Sequence, residues 1–107
     1  MTVFYVKKHL YDGLRNDWTS IEGVYTESRE QYDMPSEYAL ITVLFIAVQL
    51  DGTLKHDAKT AFLVTDYRES IIAVCADVDT ALRKYGDQPF GIAECILNSD
   101  TKTRVEK

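Results

Sequence analysis

The sequence predicts an α+β fold: a single domain with a mostly antiparallel sheet of about five strands, and one long amphipathic helix, residues 66–85, packed on one face. Segments rich in β-branched and aromatic residues alternate with turn residues along most of the chain, which is typical of strands. One later segment spaces its apolar residues as a helix does. The length of 107 residues fits one domain, which we place at residues 1–98, with 99–107 as a polar C-terminal tail.

The N-terminal quarter predicts a β-hairpin. Residues 2–10 are rich in β-branched and aromatic side chains, and residues 18–28 predict a second strand with a bulge at Gly23. Asp12-Gly13 supplies turn residues between the two.

A polar segment, residues 28–37, follows the hairpin. Ser28 and Gln31 have the spacing of a capping box, so one short helical turn is predicted before Pro35.

The most apolar stretch is residues 38–48, where only Thr42 interrupts the run. It is too short to cross a bilayer as a helix, which takes about 20 residues. Because nearly every residue of the run is apolar, it shows no periodicity that would distinguish a strand from a helix. A buried strand and a buried helix therefore both stay possible. Its β-branched content favours a central strand, and Asp51-Gly52 favours a hairpin with residues 59–65.

The helix over 66–85 is predicted by spacings of four and three residues. The stripe, widened by Cys75 and Leu82, consists of Tyr67, Ile71, Val74, Val78, Ala81 and Tyr85. Thr65 or Asp66 is the expected cap, and Gly86 is expected in the left-handed conformation that ends many helices. Pro89 then opens a last strand, residues 90–98.

The net charge of −5 is concentrated in one segment. Residues 12–37 hold seven acids and two bases, which accounts for the whole net charge. Direct binding to nucleic acid or to an anionic membrane needs clustered Lys and Arg, so both are disfavoured. Two interpretations stay open: a solvated face, or an acidic surface that docks on a basic protein partner.

No catalytic, cofactor-binding or metal-ligating set is predicted. The five glycines are scattered, and Cys75 and Cys95 lie in apolar surroundings typical of small core residues. His9 and His56 each lie near lysines, as surface histidines do. Two cysteines are too few for a disulfide scaffold, and the N-terminus lacks the pattern of a signal peptide, so a cytoplasmic location is expected.

Aromatic residues accompany the acids of residues 12–37, and Tyr and Trp are favoured at protein interfaces because they bury large areas at low entropic cost. The predicted partner-binding residues are Tyr11, Asp12, Asp17, Trp18, Glu27, Glu30, Tyr32 and Asp33.

Three classes of function follow. The first is a small acidic, non-enzymatic protein that binds another protein: a phage or mobile-element inhibitor of a nucleic-acid-handling host protein, or an immunity-type inhibitor. The second is a self-associating structural protein that forms a homo-oligomer through a strand edge. The third is a small enzyme or ligand binder with its site on loops.

Overall fold

β-strands dominate the structure. The computed structural model describes residues 1–11, 17–35, 39–68, 70–88 and 90–105. In chain order the elements are β1 Thr2–Tyr11, β2 Asp17–Tyr25, β3 Tyr32–Pro35, β4 Leu40–Asp51, β5 Thr60–Thr65, β6 Ile71–Cys75, α1 Val78–Tyr85, β7 Gly91–Ile96 and β8 Lys102–Arg104. The predicted α+β class is therefore wrong: within these residues the protein is mostly β, with eight strands in a nearly closed, barrel-like sheet and one short helix.

The strand order is β2-β1-β4-β6-β5-β7-β8, and β3 pairs with β4 off this path. The described strands pair antiparallel except for a short parallel contact between β4 and β6, where Leu50 lies opposite Val74. An isolated bridge joins Val24, in β2, to Ser99, in the turn after β7. That bridge brings the two ends of the sheet together.

The hairpin of β1 and β2 is confirmed, and so is the bulge. Val6 lies opposite Gly23 and Lys7 lies opposite Ile21, which leaves Glu22 as an extra residue in β2. A Cβ atom at position 23 would overlap the carbonyl oxygen of Ser99. Glycine therefore allows the turn after β7 to approach β2 at the closure of the sheet.

The apolar run is a strand, as its β-branched content favours, because residues 40–51 form β4. The predicted hairpin with residues 59–65 is wrong, since β5 pairs with β6 and β7 while β4 pairs with β1, β3 and β6. The helical turn predicted within 28–37 is also wrong for its described part, where Tyr32–Pro35 pairs with β4 as β3.

The predicted helix over 66–85 is wrong in its first half, where residues 71–75 form β6. Val64 lies opposite Ala73 and Thr65 lies opposite Ile71, so Ile72 is an extra residue in β6. Such a bulge shifts the alternation of side chains. It places Ile71 and Val74 against the same core, and their spacing of three residues therefore imitates one turn of a helix.

The cap of the helix is also corrected. Asp66 Oδ1 accepts the backbone N–H groups of Arg68 at 2.8 Å and Ser70 at 3.0 Å, which shapes the turn between β5 and β6. The helix α1 is capped instead by Asp77, whose Oδ1 accepts the Thr80 N–H at 2.7 Å.

Several expectations for the helix surface fail as well. Tyr67 is 69 % exposed and Leu82 is 42 % exposed, so neither belongs to a buried stripe. Gly86 has a φ of −59° and is not left-handed. Val78, Ala81 and Tyr85, which do lie in α1, pack against the sheet as predicted.

Three apolar clusters hold the sheet together. The interior cluster fills the barrel with Val3, Val24, Leu50, Ala61, Leu63, Val74 and Cys95. The helix cluster lies between α1 and the outside of β5, β6 and β7, with Phe62, Val64, Ala73, Cys75, Ala81 and Ile92. The outer cluster consists of Val6, Tyr25 and Val43, with Phe4, Met34, Ile41 and Phe45 packed against them.

Residues 102–104, inside the segment predicted as a C-terminal tail, pair with β7 as β8. The division of the chain at residue 98 stays a prediction. Among the described residues, no helix is long and apolar enough to cross a membrane.

Candidate partner-binding surface

The connection from β2 to β3, together with the start of β3, carries exposed acids from residues 12–37, the part of the chain that holds the net negative charge. Every residue from 27 to 33 is exposed, and we call this stretch the acidic segment. It contains Glu27, Glu30 and Asp33 together with a single base, Arg29. Three carboxylates and one guanidinium leave an excess of negative charge on this part of the surface.

The acidic segment adjoins the outer cluster. Alternation along the strands puts Val6, Val43 and Phe45 on the sheet face opposite the barrel interior. The Tyr25 and Phe45 rings meet edge to face, with centroids 5.4 Å apart at 86°, a favourable geometry for aromatic pairs. The acidic segment is therefore supported by a packed apolar layer.

Tyr25 connects this layer to the other end of the sheet. Its hydroxyl donates to Asp100 Oδ1 at 3.0 Å, and Lys8 Nζ lies 3.2 Å from Asp100 Oδ2. Burial raises the pKa of Tyr25, and its hydrogen bond to the Asp100 carboxylate raises it further. Tyr25 thus stays protonated and able to donate across the neutral range.

Arg29 lies over the Tyr25 ring, with its guanidinium carbon 4.8 Å from the ring centroid. This cation–π contact holds the base against the outer cluster. Among the described residues Arg29 has no ion pair with Glu27 or Glu30. Glu27 and Glu30 are both exposed to solvent.

The predicted residues of β3 do not share one face. Tyr32 lies opposite Val43, and its ring centroid is 6.3 Å from that of Phe45, on the side of the outer cluster. Asp33 points to the other side, where its Oδ1 accepts the Thr42 hydroxyl at 2.9 Å. The period of two along a strand separates these neighbours. Among the described residues Tyr32, 46 % exposed, is the exposed aromatic residue nearest to Glu27 and Glu30 along the chain.

The remaining predicted residues lie at the far end of the β1–β2 hairpin. Tyr11 ends β1, is 55 % exposed and pairs with the exposed Leu40. The backbone of Asp17 lies opposite Tyr11 and that of Trp18 lies opposite Leu10. The side chains of Asp17 and Trp18, and all of Asp12, lie outside the described residues.

Three residues of this surface were not predicted from sequence: Lys8, Arg29 and Asp100. Asp100 lies in the segment predicted as a tail, and it reaches Tyr25 only because the sheet closes. No local pattern marks such a contact, since its two partners are 75 residues apart.

The two cysteines are structural in character. Cys75 and Cys95 are buried, and burial raises the pKa of each thiol to about 11, which makes both poor nucleophiles. No group of three or more His, Cys, Asp or Glu side chains in the described ranges is arranged to hold a metal ion.

Comparisons with known proteins identify no relative. No protein-family model matches the chain, and no curated protein or solved structure matches it significantly.

Proposed function

We propose that the protein acts by binding another protein, with the acidic segment docked on a basic surface of that partner. One observation carries the proposal: residues 27–33 are exposed throughout and carry three carboxylates, two of them (Glu27 and Glu30) in the stretch between Tyr25 and Tyr32, while the single base among them lies against Tyr25. Clustered charges of one sign raise the rate of association with a surface of the opposite sign.

Tyr32 supplies the apolar anchor in this proposal. Tyrosines are enriched among the residues that dominate binding energy, because they bury large areas and lose few degrees of freedom. Tyr32 is held near Phe45 at one edge while nearly half of its surface stays open. A partner that covers this ring would add a contact that salt does not screen.

The proposed partner is a cytoplasmic protein with a basic groove. Nucleic-acid-handling proteins have such grooves, and carboxylates would occupy the positions that phosphates otherwise take. The two cysteines are free, which suits a reducing compartment. Asp12, Asp17 and Trp18 belong to the proposed surface on sequence grounds alone.

Self-association through a strand edge is the alternative candidate. The strand β2 ends the strand order and has a nine-residue edge that, among the described residues, is bridged only at Val24, but the other edges are poorly suited to pairing. The outer edges of β3 and β8 are short, four and three residues. Asp33 and Pro35 interrupt the first, and Lys102 and Arg104 lie in the second. Short edges with charges and proline resist pairing with another chain.

The proposal is tested by charge reversal at Glu27, Glu30 and Asp33, each changed to lysine. The matched control reverses three exposed acids elsewhere, Asp57, Asp87 and Glu94, and so changes the net charge equally. Proteins captured from a lysate by the wild type and by the control should be lost from the first variant.

For a captured partner, association should slow about tenfold in the first variant and lose its salt dependence. Tyr32→Ala should mainly accelerate dissociation. Equal retention of partners by both triple variants, with equal association rates, would contradict the proposal.

A further inference from the structure

A second site lies on the opposite face of β1. A pocket of about 250 Å³ opens between the β1–β2 hairpin and the turn from β5 to β6. Its lining consists of Tyr5, Lys7, Thr19, Ile21, Arg68, Ser70 and Ile71. We call it the cationic pocket, because Lys7 and Arg68 are the two charged residues among the described part of its lining.

The floor of the cationic pocket is the barrel interior. Tyr5, Ile21 and Ile71 are partly buried and pack against the interior cluster. Tyr5 and Lys7 are two positions apart in β1, so both point to this side. The pocket therefore lies at the mouth of the nearly closed barrel, a common position for small-molecule sites.

The two cations are not neutralised by the described residues. Neither Lys7 nor Arg68 forms an ion pair within the described ranges. The nearby Asp66 carboxylate instead accepts the backbone N–H groups of Arg68 and Ser70. The Arg68 guanidinium carbon lies 5.2 Å from the centroid of the exposed Tyr67 ring, which orients the side chain.

Three hydroxyl groups complete the lining. Across the described part of the chain, the hydroxyls of Tyr5, Thr19 and Ser70 take part in no hydrogen bond. The pocket thus combines two cationic donors with three neutral donors above an apolar floor. A compact anion with several acceptor oxygens satisfies such a set, because charge-assisted hydrogen bonds are the strong ones.

We propose that the cationic pocket binds a single phosphate group, either free or as the terminal group of a small metabolite. Two positive charges match the dianion, and hydroxyl donors match its remaining oxygens. The volume of about 250 Å³ is below the range of roughly 300–1,000 Å³ typical of larger ligands. The net charge of −5 repels polyanions, which favours a small phosphate compound over a nucleic acid.

Another pocket, about 290 Å³ beside the start of α1, is a weaker candidate. Lys55 and Lys59 line it, but so does Asp77. The Asp77 carboxylate already accepts the Thr80 N–H at the start of the helix. That carboxylate occupies the place an anion would take.

The test is a titration of the ¹⁵N-labelled protein with inorganic phosphate at constant ionic strength, with chloride as the reference anion. Saturable amide shifts should concentrate at Lys7, Thr19, Ser70 and neighbouring positions. Lys7→Gln and Arg68→Gln should each weaken binding about tenfold or more. Lys59→Gln and Arg104→Gln remove an exposed cation elsewhere and should leave the affinity unchanged.

Two further measurements identify the form of phosphate that binds and check that the variants are folded. Tighter binding of glycerol phosphate than of inorganic phosphate identifies a phosphorylated metabolite, and the reverse identifies free phosphate. Arg68→Lys should bind more tightly than Arg68→Gln, and the dispersion of amide signals verifies that both are folded. Any one of three results would overturn the proposal. These are amide shifts spread evenly over all cationic residues, no saturation with either phosphate probe, and tighter binding of succinate than of the phosphate probes.

Discussion

The hydroxyl of Tyr85, in α1, donates a 2.5 Å hydrogen bond to Oδ2 of Asp51, at the end of β4. Lys84 Nζ lies 3.4 Å from the other carboxylate oxygen. The backbone carbonyl of Asp51 also accepts the Ala76 N–H at 2.8 Å. One residue therefore ties the helix, the strand before it and β4 together where β4 and β6 run parallel.

The Asp51 carboxylate should make stability depend on acid pH. The hydrogen bond from Tyr85, followed by Lys84, lowers the pKa of Asp51 in the folded protein. The stabilisation of the fold by the Asp51 carboxylate is therefore present above the pKa of the unfolded state, near 3.8. It is lost as pH falls through the lower pKa of the folded state. Asp51→Asn should cost about 1 kcal/mol at pH 7 and progressively less toward pH 2, measured by urea unfolding. Asp57→Asn, an exposed control, should show no such trend; a constant Asp51→Asn cost at all pH values would refute this.

Gly23→Ala should loosen the closure of the sheet. The added Cβ would overlap the Ser99 carbonyl oxygen, which is backbone and cannot turn aside. We expect a loss of about 1–3 kcal/mol in the free energy of unfolding. Gly91→Ala is the matched control, because its Cβ would lie 3.5 Å from the Thr65 hydroxyl, an ordinary contact. Equal losses in the two variants would mean that the approach of Ser99 does not constrain position 23.

The bulge in β6 predicts unequal effects at two neighbouring positions. Val74 is fully buried in the interior cluster, whereas Ile72, the extra residue, is 37 % exposed. Val74→Asp buries a charge without a partner and should cost about 3 kcal/mol or more. Ile72→Asp should cost less than about 1 kcal/mol. Denaturant unfolding of both variants checks this, and similar losses would argue against the bulge.

The two thiols should be unreactive in the folded protein. Burial raises the pKa of Cys75 and of Cys95 to about 11, so little thiolate exists at pH 8. Alkylation by iodoacetamide should therefore be slow without urea and rapid in it. Ser28→Cys, in the exposed acidic segment, supplies a thiol that should react quickly in both conditions. Rapid native labelling of the wild type would show that the sheet opens readily.

Local composition predicted most of the strands. β1, β2, β4 and β5 each contain β-branched and aromatic side chains, and β7 contains two isoleucines, all of which suit a pleated, half-buried surface. The bulge in β2 was also visible, because Gly23, next to the extra residue Glu22, interrupts the alternation of this strand.

The errors have two physical causes. The bulge at Ile72 gives a strand the spacing of a helix, so periodicity alone selected the wrong element. The second cause is separation along the chain. β4 pairs with β6, where Leu50 lies opposite Val74, but β6 begins 20 residues after β4 ends. Turn residues such as Asp51-Gly52 indicate that the chain turns locally, but they do not indicate which distant strand pairs with β4.

The candidate sites differ in how much sequence could reveal. Charge counting found Glu27, Glu30 and Asp33, but the separation of Tyr32 from Asp33 required a strand at residues 32–35. The cationic pocket was not predicted, because Lys7 and Arg68 become neighbours only when the barrel curves.

The bridge from Val24 to Ser99 has a consequence for protein synthesis. A chain that emerges from the ribosome N-terminus first completes the β1–β2 hairpin early, but the outer edge of β2 waits for a residue 75 positions later. Until Ser99 leaves the exit tunnel, that edge presents unpaired backbone groups beside Val24, a template for pairing with other nascent chains. This part of the β2 edge can therefore pair within the chain only after residue 99 has been synthesised.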